Sequence, residues 1–92
     1  MGLNNRYHIC VFNTKNMAIY TFSILEGLGH KNFQLISTPC EIKAGCSYSI
    51  KFSNIRYLDI LEKEAKEIGA EIQGVYLVER KEGKRAIEKV LV

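Results

Sequence analysis

The chain reads as an α+β protein, an antiparallel sheet with two helices on one of its faces. Three observations predict this. Four segments are rich in strand formers, two others repeat apolar residues at helical spacing, and turn residues stand between them. The resulting order is β-α-β-β-α-β, and short right-handed connections leave few ways to arrange it.

Tyr7 to Phe12 is apolar and strand-forming, and it predicts strand one. Asn13-Thr14 follows, with Thr14 as the expected N-cap of a helix. Ala18, Phe22, Leu25 and Leu28 recur at helical spacing with Met17 and Ile24 beside them, and Gly27 and Gly29 mark the stop. Phe33 to Thr38 predicts strand two, which Pro39 ends. Residues 40 to 45 form a loop. Cys46, Tyr48, Ile50 and Phe52 then alternate with Ser47, Ser49, Lys51 and Ser53, which predicts a strand with one buried and one polar face.

Asn54 is placed to cap a second helix with Leu58, Leu61, Ala65 and Ile68 as its apolar stripe and Gly69 as its end. Ile72 to Val78 predicts strand four. The tail from Arg80 to Val92 fits either a short helix or an added edge strand. The simplest assembly is a ferredoxin-like sandwich with both helices on one face. The second face stays open unless the tail or another subunit covers it. Strand one is expected to turn His8, Cys10 and Phe12 toward that open face, opposite Tyr7, Ile9 and Val11.

Ninety-two residues make one small domain, here a core at 6–79 and a tail at 80–92. The net charge of +3 is too mild to argue for nucleic acid, and the basic stretch Arg80, Lys81, Lys84, Arg85 and Lys89 is interrupted by glutamates and reads as a solvated helix face. No apolar run approaches the ~20 residues a membrane span needs, and the first residues lack a signal-peptide core, so no membrane partner and a cytoplasmic location are expected. Three cysteines, an odd number, argue against a disulfide framework and for reduced thiols. Cys40, Cys46, His8 and His30 lack the paired spacing of a zinc site, so no metal is expected, and no cofactor motif is present. Cys10 is expected to be buried packing, His8 to pack or pair on the open sheet face, and His30 to be a solvated turn residue.

At Thr38-Pro39-Cys40-Glu41-Ile42-Lys43-Ala44-Gly45-Cys46 the chain resembles a small bacterial family of selenium/sulfur carrier-like proteins. Val11-Phe12 at the end of the first strand and Gly74-Val75-Tyr76 in the last match the same pattern, and the resemblance covers Tyr7 to Val78. The resemblance implies a carrier thiol at Cys46 and, as partners, proteins that donate and accept sulfur or selenium. The family commonly has arginine after the proline and glycine after the cysteine; this chain has Cys40 and Ser47 there.

A carrier needs a thiolate, and a free cysteine has a pKa near ~8.5, so some group must lower it. Antiparallel pairing of strands one and three would bring the start of strand three beside the first turn of helix one. Thr14, Lys15 and Asn16 there, and Lys43 in the loop, are the candidate thiolate-stabilising residues. Cys46 shares parity with Tyr48, Ile50 and Phe52 and is expected to face the helices. Cys40 is a candidate resolving thiol. The plainer alternatives are a core-closing Cys46 and an incidental Cys40. A small-molecule-sensing or protein-interaction module without thiol chemistry, able to form a homodimer through the open sheet face, is the competing function. A thiol-redox enzyme is a third reading. The carrier and module readings both make the chain a binding protein rather than an enzyme.

Overall fold

A computed structural model describes the chain from Arg6 to Leu91, apart from Ala44 and Cys46. The elements are β1 (Arg6–Phe12), α1 (Lys15–Gly27), β2 (Phe33–Ser37), β3 (Tyr48–Phe52), α2 (Leu58–Glu67), β4 (Ile72–Lys81) and β5 (Lys84–Leu91). The five strands form one sheet in the order β2-β3-β1-β4-β5. Every neighbouring pair is antiparallel. The molecule is thus α+β, with two helices and an antiparallel sheet.

Local chemistry explains the boundaries. Thr14 is extended and its Oγ1 accepts from the Met17 amide at 3.2 Å, which caps the start of α1. Gly29 follows the end of α1 at φ +89°, a conformation that favours glycine. Asn54 does cap, but it caps a short 3-10 turn, Ile55–Tyr57, that leads into α2. The tail takes the strand alternative. β4 runs on to Lys81, turns at Glu82-Gly83 and returns as β5, so the basic stretch lies on a hairpin and not on a helix.

Two cores lie on opposite faces of the sheet. On the first, Ala18 and Leu25 of α1 and Leu58, Leu61 and Ala65 of α2 pack over Cys10, Phe12, Phe33, Ile50, Phe52 and Val75. On the second, Ile9, Val11 and Val78 are buried under Tyr7, Ile36, Ile42, Tyr76 and Ile87. This reverses the expectation for strand one: Cys10 and Phe12 face the helices, and Ile9 and Val11 face away. Both parities of β1 are apolar, so alternation within the strand could not orient it. Register does, because Cys10 pairs with Ile50 and His8 with Phe52, and paired residues share a face. Cys10 is fully buried, as expected of packing, and burial pushes its thiol far above the usual range.

His8 accordingly lies on the helix side, stacked on Phe52 with ring centroids 5.4 Å apart, and not on the far face. His30 is half-buried, with its ring edge-on to Phe33, where a solvated turn residue was expected. Burial, then the nearby Arg6 charge, lowers the His8 pKa below its ordinary value, although a hydrogen bond with the Ser53 backbone opposes them. The unfolded chain therefore binds a proton at His8 that the folded chain resists. Stability from this site is complete above the unfolded pKa of about 6.5 and is lost as pH falls below it. Thermal melts of wild type should show a falling midpoint between neutral pH and pH ~5, and the fall should shrink in His8→Phe, which keeps the stacking partner but cannot titrate.

Candidate functional site

The link from β2 to β3 is the segment that holds the candidate thiols, and it is folded. The Thr38 amide donates to the Ser47 carbonyl at 3.0 Å, which closes its base. Within it the Pro39 carbonyl accepts from the amides of Ile42 at 2.9 Å and Lys43 at 3.1 Å, so the chain turns tightly over 39–43. Gly45 has φ +98°, with nothing within 4 Å of where a Cβ would stand. Glycine is favoured there by backbone conformation and not by crowding.

Three contacts fasten this segment to the rest of the molecule. Ile42 packs into the far-face core with Ile9, Val11 and Val78. Glu41 receives both of its carboxylate contacts from the Arg85 guanidinium of β5, at 2.9 and 3.2 Å. Its own backbone amide, and then Arg85, hold the Glu41 carboxyl below the usual range. Lys43 Nζ donates to the Asn13 carbonyl at 3.5 Å, at the junction of β1 and α1. That junction is itself anchored, since Asn13 donates from its side chain to Glu71 Oε1 at 2.6 Å and from its amide to the Glu71 carbonyl at 3.1 Å.

Beneath the segment lies a small polar layer on the far face. Thr38 and Ser49 are buried and share a hydrogen bond between hydroxyls at 2.5 Å. Ser47 is also buried, and its hydroxyl has no hydrogen-bond partner among the described residues. A buried hydroxyl of this kind is costly unless something completes it, so it is the spare hydrogen-bonding capacity of this site.

The structure brings some sequence-expected residues together and leaves others apart. The β1–β3 pairing sets Val11 against Ser49, so the entry to β3 does lie beside the exit of β1 and the start of α1. Lys43 reaches that junction. Lys15 and Asn16 occupy the first turn of α1 and are exposed. The Thr14 oxygen is already used as the helix cap, so Thr14 orients the helix and its hydroxyl is not spare. Cys40 is a free, exposed thiol at the turn. Cys46 lies outside the described residues, as does its pairing with Cys40. Among the described residues no group of three or more His, Cys, Asp or Glu is placed to hold a metal ion. No helix among them is long and apolar enough to cross a membrane.

Sequence reasoning missed Ile42, Arg85 and the Thr38–Ser49 pair. A lone isoleucine inside a polar loop was the available signal for Ile42. Arg85 gave none, because its role depends on the hairpin returning to the loop. Two measurements check the geometry. Ile42→Ala should cost about 1–2 kcal/mol, a part-buried fraction of a full core truncation, and should speed alkylation of Cys40. Thr38→Val should cost about 1–3 kcal/mol in denaturant melts by orphaning Ser49, while Thr38→Val with Ser49→Ala should cost less than the two single changes together. Additive costs would mean the two hydroxyls act independently.

No curated protein and no solved structure matches the chain. The model of the family described as "Putative Se/S carrier protein-like" matches residues 7–77, from the start of β1 into β4. The matched span includes both helices and the whole β2–β3 segment, well over half of the chain. The chain belongs to this selenium/sulfur carrier-like family.

Proposed function

We propose that the chain is a non-catalytic sulfur or selenium carrier in the cytoplasm, with Cys46 as the attachment point. The observation that carries this reading is the anchoring of the residues around position 46. The family match covers that segment, and Lys43 fastens it to the Asn13 carbonyl at the β1–α1 junction. We read the strand order as a ferredoxin-like sandwich, one domain, extended by β5 at its edge.

The chemistry is an exchange of sulfane sulfur. The Cys46 thiolate attacks the outer sulfur of a donor persulfide, R–S–SH. A new S–S bond forms at Cys46, the donor's S–S bond breaks, and the donor leaves as R–S⁻. Cys46 then carries –S–SH, and an acceptor thiolate reverses the sequence on the other side. A perselenide follows the same accounting. No external oxidant or reductant enters, which suits a carrier better than an enzyme.

Each nearby group has a physical part in this reading. Of the first-turn amides of α1, the Met17 amide is taken by the Thr14 cap; those of Lys15 and Asn16 lie at the positive end of the helix dipole, which favours a thiolate. Lys15 and Lys43 add positive charge. Asn16 is a side-chain donor. Arg85 offsets the Glu41 carboxylate, the nearest acidic side chain in sequence, which would otherwise oppose a thiolate. Ser47 supplies the unfilled hydroxyl. Cys40, exposed at the turn, is the thiol that could resolve a loaded Cys46.

Intact-mass spectrometry of the full chain after exposure to a small-molecule persulfide tests this directly. One added sulfur per chain is expected, retained in Cys40→Ser and absent in Cys46→Ser. Equal loading of Cys46→Ser would overturn the assignment. Alkylation of Cys46 followed across pH should show a midpoint below the free-cysteine value of about 8.5, and Lys43→Ala should move it upward.

A further inference from the structure

The two edges of the sheet are unlike. β5, at one edge, carries Lys84, Arg85, Glu88 and Lys89. Such charges guard an edge against pairing with another chain. β2, at the other edge, reads Phe-Gln-Leu-Ile-Ser, with no charge and no proline among its five residues. It pairs with β3 on one side and ends the sheet on the other.

A groove runs along this unguarded edge, lined by Phe22 of α1 and by Phe33, Gln34, Leu35 and Ile36 of β2. Glu26 joins Phe22 in the adjoining part of the groove. On α1, Lys15, Ile19, Phe22 and Glu26 stand at i, i+4, i+7 and i+11, which is one stripe of a helix. Ile19 in that stripe is 39% exposed, one of the large apolar side chains left in solvent.

The stripe is self-complementary. Turned end for end against a copy of itself, it sets Lys15 against Glu26 and Ile19 against Phe22, twice over. We propose that two copies of this chain associate around a two-fold axis through this edge. β2 pairs antiparallel with β2 of the second copy, and the two α1 helices lie side by side above the joined strands. Leu35 faces its own equivalent, and Phe33 faces Ser37 of the other copy. α1 rests over β2 and β3. With strands about 4.8 Å apart, the two helices come within roughly 10 Å, the spacing of packed helices. An arrangement of this symmetry closes on itself, and a head-to-tail pairing of β2 onto the charged β5 does not.

The far face is a poorer interface, because the chain's own Ile42 already packs onto Ile9, Val11 and Val78 there. The edge also bears on the thiol segment. Continuing the β2 register sets Lys31 of the second copy opposite Pro39, next to Cys40, so each copy adds a cation beside the other's turn.

Sedimentation of the full chain across the micromolar range tests this. Wild type should form a dimer that Ile19→Asp, an exposed site, disperses without loss of helical circular dichroism. Lys15→Glu and Glu26→Lys should each weaken the dimer about tenfold or more, since each sets like charges together twice. Mixed together, these two single variants should dimerise again, because one copy then presents two acids and the other two lysines. A wild type that stays monomeric overturns the proposal. So does a dimer indifferent to Ile19→Asp, a mixture that fails to reassociate, or an assembly that keeps growing past two copies.

Discussion

The rest of the structure depends on burying both faces of β1. It is the central strand, flanked by β3 and β4, and Ile9, Cys10, Val11 and Phe12 are each no more than 1% exposed. A strand of this kind cannot be satisfied by one layer of helices. Its even-numbered residues take α1 and α2, and its odd-numbered residues need a second cover. The chain makes that cover from its own thiol segment, through Ile42, and Ile87 of β5 packs beside Val78 on the same face. Full burial of a large apolar side chain contributes about 1.5–3 kcal/mol. A solvent-exposed ion pair contributes about 1 kcal/mol at most. The Arg6–Glu79 and Glu41–Arg85 pairs therefore adjust what the two cores decide.

The strand and helix order was legible because each element carries its own period. The alternation in Tyr48–Phe52 and the apolar stripe of α2 are both local signals that place their elements, although the strand's polar face is itself buried at Ser47 and Ser49. What could not be read locally was which way β1 faces, because a doubly buried strand has no polar parity. Its partner β3 does have one, and Cys10↔Ile50 pairing transfers it. The thiol segment was legible as a loop, but its direction was not. Ile42 packs away from the helices, and Arg85 meets Glu41 only after the β4–β5 hairpin forms. That pair is 44 positions apart in the chain, and no pattern in the sequence announces a contact of such range. His8 was misplaced with β1, for the same reason of parity.

The two described cysteines show how place, not residue type, sets thiol chemistry. Cys10, sealed between β1 and the helices with Glu62 nearby, has its thiolate disfavoured by desolvation first and by that charge second. It is a small apolar residue in effect. Cys40 sits in solvent on a turn whose geometry is fixed by the Pro39 carbonyl. A persulfide carrier needs a thiol between these extremes, open to a partner's sulfur yet held beside positive charge. Lys43 is tied to Asn13, and Asn13 to Glu71, so the cation in the segment is held at the β1–α1 junction.

The hairpin β2–β3 connects the sheet edge, the thiol segment and the far core. Thr38 couples them, since its amide closes the base of the segment on Ser47 and its hydroxyl meets Ser49 in the interior. A slip of one residue between β2 and β3 would exchange the two faces. Ser49 would then lie among the helices and Ile50 under Ile42. In β3 both faces are buried, Ser49 on one and Ile50 and Phe52 on the other, so the register is held from two sides. The segment is kept in place by its anchors: the Thr38 amide on the Ser47 carbonyl, Ile42 in the far-face core and Lys43 on the Asn13 carbonyl.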